Sequence, residues 1–317
     1  MRLIPLHLIP SGTKIDFLGK RWFAFIFSIV TTLGTLGLIG TKGFNFGIDF
    51  TGGIVMELRF TEENPDIAAL RDLLSENIEG EISLQYFGSE KDVLLRIQEK
   101  EEIGQDGTAS ATVLKVKELL AKEVSPSIDY RKVDYVGPQV SEELLRSGAL
   151  AMVLSFLGIM LYVWFRFEWQ FGVGAIIALL HDAILTVGFY SLMGIEFNLA
   201  SVAAVLTVVG YSINDSVVIY DRIRENLRKY KKKPIDQLLN ESINETLSRT
   251  ILTVSTTVFA VIALILVGGP VIQGFSLALL FGIVVGTYSS IYVSAPILIY
   301  LNIRKVDVTQ PGKEAHV

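Results

Sequence analysis

The chain has 317 residues, half of them apolar, with 28 basic side chains against 33 acidic ones and a net charge of −5. It contains no cysteine, which excludes disulfides, thiolate metal sites and catalytic thiols, and its three histidines (His7, His181, His316) leave no basis for a His-rich metal centre. The apolar residues fall in blocks near the length of about 20 residues that crosses a bilayer, so the composition predicts a polytopic α-helical membrane protein.

Lys14, Lys20 and Arg21 precede an apolar run from Trp22 to Gly40. The run is too long for the apolar core of a signal peptide and no small-x-small cleavage site follows it, so it reads as an uncleaved first span after a short N-terminus, 1–21. Residues 41–146 are polar and form the only large soluble segment. Further spans are expected from about Gly148 to Phe165, Gln170 to Met193, Phe197 to Tyr220, Thr250 to Val267 and Ile272 to Leu301, with a polar loop at 221–249 and a tail at 302–317. Six spans result, the last five forming a bundle over 147–301.

Lysine and arginine near span ends set orientation. Arg222, Arg224, Arg228, Lys229, Lys231, Lys232, Lys233 and Arg249 crowd the 221–249 segment, Arg166 sits between the second and third spans, and Arg304 and Lys305 follow the last. The 194–196 and 268–270 loops carry no basic residue, and 41–146 holds 12 basic against 21 acidic residues. Both termini and the basic segment are therefore expected to be cytoplasmic and the soluble domain external. The basic residues fit topology and lipid headgroups, and nothing suggests nucleic-acid binding.

Within the soluble segment, Ile54, Met56, Leu58 and Phe60 alternate with Val55, Glu57 and Arg59 as in a half-buried strand. Asn64-Pro65-Asp66 opens a helix with proline in its first turn, its apolar face made by Ile67, Leu70, Leu74 and Ile78. Ile82, Leu84 and Tyr86, then Val93, Leu95 and Ile97, give two strands around Gly88-Ser89-Glu90-Lys91. A second helix presents Val113, Val116, Leu120 and Val124, and Ile128 and Tyr130 open the last strand. The order β-α-β-β-α-β predicts a ferredoxin-like α+β sandwich. It holds no catalytic cluster, which points to a contact or moving domain and not to an enzyme.

Glycine-bearing stretches flank this domain: FNFGIDFTGG, with Gly47, Asp49, Gly52 and Gly53, and VGPQV, with Gly137 and Pro138. Glycine permits tight turns and proline stiffens the chain, so both read as elbows or hinges. A phosphate loop is a poor alternative, since no lysine follows the glycines and Asp49 would repel phosphate.

Five motifs stand in order along residues 14–305: FNFGIDFTGG after the first span, VGPQV before the second, HDAILT in the third, GYSINDSVVIYDRIRE in the fourth and NETLSRT before the fifth. Together they resemble the SecF family of bacterial protein-export membrane proteins, small relatives of the resistance-nodulation-division transporters. Ser141 departs from the glycine expected after VGPQV. The resemblance implies a partner, SecD, completing a twelve-span unit beside the SecYEG channel, with YajC nearby, in the bacterial inner membrane. It also implies that the proton gradient, with protons as the coupling ion and no other cofactor, helps draw an unfolded polypeptide across. The family's intramembrane acid and arginine carry over to Asp215 and Arg249.

The residues support this independently. A charge at mid-span costs roughly 3 kcal/mol or more, so Asp215 should face protein or water. Ala200, Ala203, Ala204, Thr207, Tyr211, Asn214 and Asp215 read as one helix face rich in small and polar residues, with Asn214 in a supporting role. Arg249 favours a charged Asp215 and burial a neutral one, the opposed pulls that a protonatable switch needs. Asp182 recurs at four-residue spacing with Gly174, Ala178 and Thr186 and reads as a relay or a helix-to-helix hydrogen bond, while His181 lies about 100° round the helix and reads as a packed, hydrogen-bonded side chain. Ala278, Gly282, Gly286, Ser290 and Ser294 predict a packing seam, partly covered by a partner. The alternatives are a static ion pair, half of a small-molecule or lipid exporter, a purely structural subunit, and an intramembrane aspartyl protease, whose YD and GxGD signatures do not match the HDA and NDS contexts of Asp182 and Asp215.

Overall fold

A computed structural model describes residues 13–61, 64–87, 89–98 and 106–305. His7, His316, the turn residue Gly88 and the tail from 306 lie outside the described residues. In chain order the elements are α1 (Arg21–Lys42), α2 (Ile48–Thr51), β1 (Gly53–Phe60), α3 (Ile67–Asn77), β2 (Glu81–Phe87), β3 (Ser89–Gln98), α4 (Asp106–Glu123), β4 (Ile128–Val136), α5 (Pro138–Arg166), α6 (Trp169–Met193), α7 (Leu199–Lys229), α8 (Ile235–Val267) and α9 (Pro270–Ser289). Six helical segments, those of α1 and α5 to α9, are long and apolar enough to cross a membrane. The chain divides into a helical unit, residues 1–45, 152–195 and 200–317, and an α+β unit, residues 46–151 and 196–199.

In the α+β unit the sheet order is β2-β3-β1-β4 and all neighbours are antiparallel, with Met56 of β1 opposite both Leu95 of β3 and Val133 of β4. This is the topology expected of a βαββαβ sandwich. Ile54, Met56 and Leu58 point to one face, where Leu70 and Leu74 of α3 and Val116 and Leu120 of α4 close the core. Val55 does not face solvent as strict alternation predicts, because a smaller cluster with Ile48 and Leu94 covers it. Pro65 lies outside α3, which starts instead at an Asp66 cap: its Oδ1 accepts from Ala68 N at 2.8 Å and Ala69 N at 3.3 Å. Val124 falls just past α4 and is exposed. The turn before β3 is tighter than expected, since Ser89, Glu90 and Lys91 are already in the strand.

Three departures from expectation concern the long helices. The 221–249 segment is not a loop: only residues 230–234 are non-helical, and the charged residues sit on the paired ends of α7 and α8. Arg222 binds Glu225 and Glu245 at 2.6 Å each, and Asn226 donates to Ser242 at 2.9 Å and Glu245 at 2.7 Å. Buried Leu227, Leu238 and Leu239 pack the same region. Second, α5 begins at Pro138, ahead of its apolar run, because its charged residues are good helix formers and proline suits a first turn. Third, the last span is not a continuous α-helix. After Ser289 it passes through a π turn, Ser290–Ser294, immediately ahead of Pro296, which has no N–H to give to the preceding turn.

Arg59 donates two hydrogen bonds to Asp92, at 2.6 and 2.7 Å, and Arg131 stands 3.8 Å away. The Arg59 hydrogen bonds hold the Asp92 carboxyl at about 2, below its ordinary 3.8. The folded domain thus prefers Asp92 charged, and the stabilisation is complete above about pH 4 and lost as pH falls toward 2. Residues 53–136 expressed alone should give a folded α/β circular dichroism spectrum, and the denaturant midpoint should drop between pH 4 and pH 2. Asp92→Asn should flatten that drop; a random-coil spectrum at neutral pH would refute the independent core.

Candidate functional site

The helical unit is organised by a seam where α7 meets α6 and α9. Close approach is possible because the facing residues are small: a Cβ on Gly282 would run into Val208, and one on Gly286 would lie 3.0 Å from Ser212 Cβ. A Cβ on Gly174 would meet Tyr220 Oη at 2.8 Å and Ser294 O at 3.0 Å. Ser290 and Ser294 are fully buried, and Ser294 hydrogen-bonds Tyr220. The stripe of α9 and its π turn is therefore the helix-packing seam expected, filled by this chain's own helices.

Asp182 lies in this seam with no exposure to solvent. Its Oδ2 accepts from Ser212 Oγ of α7 at 2.5 Å and from Ser289 Oγ of α9 at 2.6 Å, so one carboxylate ties three helices. Its Oδ1 lies 2.9 Å from His181 Nδ1, within hydrogen-bonding distance. Nε2 is buried with no hydrogen-bond partner among the described residues. His181 is packed and hydrogen-bonded, as expected, but its partner is the neighbouring Asp182: rotation about the side-chain bonds brings the ring back across the helix phase. Ser212 and Tyr220 lie inside the GYSINDSVVIYDRIRE stretch, yet neither they nor Ser289 were assigned a role, because a hydroxyl in an apolar span does not show which helix it will meet.

Asp215 is 3% exposed and follows Val208 and Ser212 down the buried side of α7. Its Oδ2 has no hydrogen-bond partner among the described residues. Arg249 of α8 is the charged group whose field reaches it, yet among the described residues no ion pair within 4.0 Å joins them. Arg249 is exposed and lines a shallow cavity of about 420 Å³ with Asp221, Glu225, Glu245 and others. The face read from the sequence needs correction. Ala200, Ala203, Thr207 and Asn214 are exposed, while Ala204, Val208, Ser212 and Asp215 are buried, so Asn214 does not join the Asp215 site. Four-residue spacing drifts around a 3.6-residue helix, and Asp215 falls on the far edge of the set. Among the described residues no hydrogen bond joins Asp182 and Asp215.

In the α+β unit the glycine-bearing stretch is more structured than a plain elbow. Gly47 opens the short helix α2, where a Cβ would collide with Glu196, and Gly52 ends it at φ +70°. Gly53 has φ +112° and a Cβ there would strike the Ile97 carbonyl of β3, so no other residue fits. Asp49 accepts from Leu199 N at 3.0 Å, the first residue of α7. Arg96 of β3 pairs with Glu196, whose carboxyl burial pushes up against the pull of that arginine. Pro138 starts α5, and the Ser141 hydroxyl donates to its carbonyl at 2.9 Å. Gly137 has only ordinary contacts with Tyr135. Among the described residues no cluster of metal-ligating side chains occurs.

Residues 115–304 match the family "Protein export membrane protein SecD/SecF, C-terminal", and residues 37–63 match the "SecD/SecF GG Motif". The chain is 51% identical over 305 residues to a "Protein translocase subunit SecF" of Rickettsia felis, covering 96% of this chain and 97% of that one. The corresponding protein of Rickettsia prowazekii is 50% identical over 305 residues, covering 96% of each. The crystal structure of SecDF from Thermus thermophilus, described as a translocon-associated membrane protein, is similar with a TM-score of 0.82 and 37% identity over 94% of this chain. A structure of SecDF in a super-membrane-facing form gives a TM-score of 0.68 at 37% identity over 95% of this chain. The chain spans 40% of the length of each of these two structures.

The seam yields a packing test. Gly282→Ala should lower the thermal midpoint of the purified protein, since overpacking a close contact costs about 1–3 kcal/mol. Val208→Ala made in the same chain should restore part of that loss. Additive damage from the two changes would mean that they do not share one contact.

Proposed function

The chain belongs to the SecF family of protein translocase subunits, and on that premise we propose that it pairs with SecD and couples the proton motive force to late steps of protein export. The observation that carries this reading is Asp215: a carboxylate buried in a membrane-spanning helix, with one oxygen unpartnered among the described residues and no ion pair to Arg249. A static ion pair would bring Arg249 into hydrogen-bond range and satisfy that oxygen. A group meant to gain and lose a proton is better served by an unfilled partner position. Each proton crossing supplies about 2.3 kcal/mol per 100 mV, enough to bias helix packing in a seam built on close contacts.

Asp182 is assigned a positioning role. Its two serine partners and His181 hold α6, α7 and α9 in register, and Ser212 links that network to the turn of α7 that carries Asp215. The SecDF similarities support SecD as partner, and the exposed Ala200, Ala203, Thr207 and Asn214 favour a covering helix over lipid, because an amide facing hydrocarbon is costly. SecYEG, YajC, bilayer lipids and an unfolded translocating polypeptide complete the proposed surroundings, in the bacterial inner membrane. The hinge reading of Gly47, Asp49, Gly52, Gly53, Gly137 and Pro138 belongs to the same proposal. The exporter alternative finds no support in the Rickettsia relatives, which are named as translocase subunits.

Two experiments test the proposal. Asparagine is nearly isosteric with aspartate but cannot become charged, so Asp215→Asn should assemble with SecD in normal amount. Gradient-dependent export in vesicles should nevertheless fall to the level seen without a gradient. Arg249→Met should fail in the same assay, whereas a purely structural subunit predicts that both variants still respond to the gradient. Orientation is tested separately: a reporter after Lys233 should be cytoplasmic and one at Gly107 external, and the reverse pattern would overturn the topology.

A further inference from the structure

Arg166, Asp221, Arg224, Glu225, Arg228 and Lys229 surround a concavity of about 620 Å³ at the end of the bundle where α5 and α7 finish. Four cations there face two carboxylates, and the carboxylates are already engaged. Arg166 donates to Asp221 at 2.9 and 3.1 Å, and Glu225 is held by Arg222. Arg224 donates to Glu168 at 3.3 Å. Both Arg166 and Arg224 lie over the ring of Phe167, at 4.8 and 5.5 Å, which fixes their planar forks before any ligand arrives. Arg228 and Lys229 have no ion-pair partner among the described residues. Compensation of helix dipoles accounts for single basic residues in last turns, but not for their convergence on one concavity from two helices.

The surroundings indicate what fills it. Trp164, Phe165 and Trp169 flank Arg166 with 65%, 87% and 56% of their surfaces exposed, the aromatic rim found where a protein crosses from hydrocarbon to headgroups. An excess of positive charge, two pre-set guanidinium forks and an adjoining apolar rim match a phosphodiester carrying acyl chains. We propose that this concavity is a binding site for the headgroup phosphate of an anionic phospholipid, its chains lying along the exposed aromatic rim. The site rests on local geometry and stands whether or not Asp215 carries protons.

The test uses the full chain reconstituted in phosphatidylcholine bilayers containing a small amount of spin-labelled phosphatidylglycerol, with spin-labelled phosphatidylcholine as reference. The protein should immobilise phosphatidylglycerol about tenfold more strongly than the reference, and the R228Q/K229Q double variant should reduce this to about twofold. A control double variant, K231Q/K232Q, removes the same charge just outside the concavity and should keep the wild-type preference. Inorganic phosphate added at millimolar concentration should not displace the lipid, because it lacks the chains. Equal loss in both double variants would reduce the effect to general surface charge and overturn the proposal, as would a wild-type protein with no preference. Displacement by inorganic phosphate would make this a free-phosphate site and overturn the lipid assignment.

Discussion

A carboxylate inside a membrane has to be given hydrogen bonds or a cation, and the helical unit depends on how that requirement is met at two positions. At Asp182 it is met completely: hydroxyl donors arrive from α7 and α9, and the neighbouring His181 lies within hydrogen-bonding distance. Those donors can reach it only because glycines at 282 and 286 let α9 come close to α7. The small residues and the acid are thus one design, in which close backbone approach brings short hydroxyl side chains within reach of a group that would otherwise be too costly to bury. At Asp215, one turn further along α7, the requirement is left partly unmet. The contrast between the two acids distinguishes structure from function more sharply than either does alone.

Much of this was legible beforehand because hydrocarbon imposes long, unmistakable patterns. Six spans, the βαββαβ order and the two intramembrane acids follow from run length, alternation and the rarity of charge in apolar helices. What escaped has a common physical origin. Ser212 and Ser289 matter through where their hydroxyls point across helices, and a single sequence does not encode that meeting. The partnership of His181 with Asp182 is set by side-chain torsions and not by helix phase. Asn214 was grouped with Asp215 on one helix face drawn through residues three and four apart, a set broad enough to hold two positions about 100° apart on the helix. The polar 221–249 segment looked like a loop because solvent-exposed helix ends and loops share a composition; pairing of α7 with α8 through Arg222, Glu245 and Asn226 decides between them.

The α+β unit shows the same division of labour at smaller scale. Its core follows the alternation of β1 and β3, and the cap at Asp66 follows from the residue type. Residues 196–199, in contrast, belong to this unit although they are far from it in sequence, held by Arg96 with Glu196 and by Asp49 with the amide of Leu199. The conformation of Gly53, forced by the Ile97 carbonyl, explains why the double glycine cannot be relaxed to a generic flexible turn. Here the motif is a tight steric fit before it is a hinge.

The π turn at Ser290–Ser294 acts as a vernier on the last span. Positions spaced by four residues advance about 40° too far at each step around an ordinary α-helix, so a stripe running from 278 to 294 would swing by about 160° and leave its own seam. A looser turn winds back part of that angular error at the point where it has become largest. Ala278, Ser290 and Ser294 are all fully buried along the same row, and the looser turn acts on its last step, from 290 to 294. A helix that changes pitch once can keep a single edge in contact over its whole length.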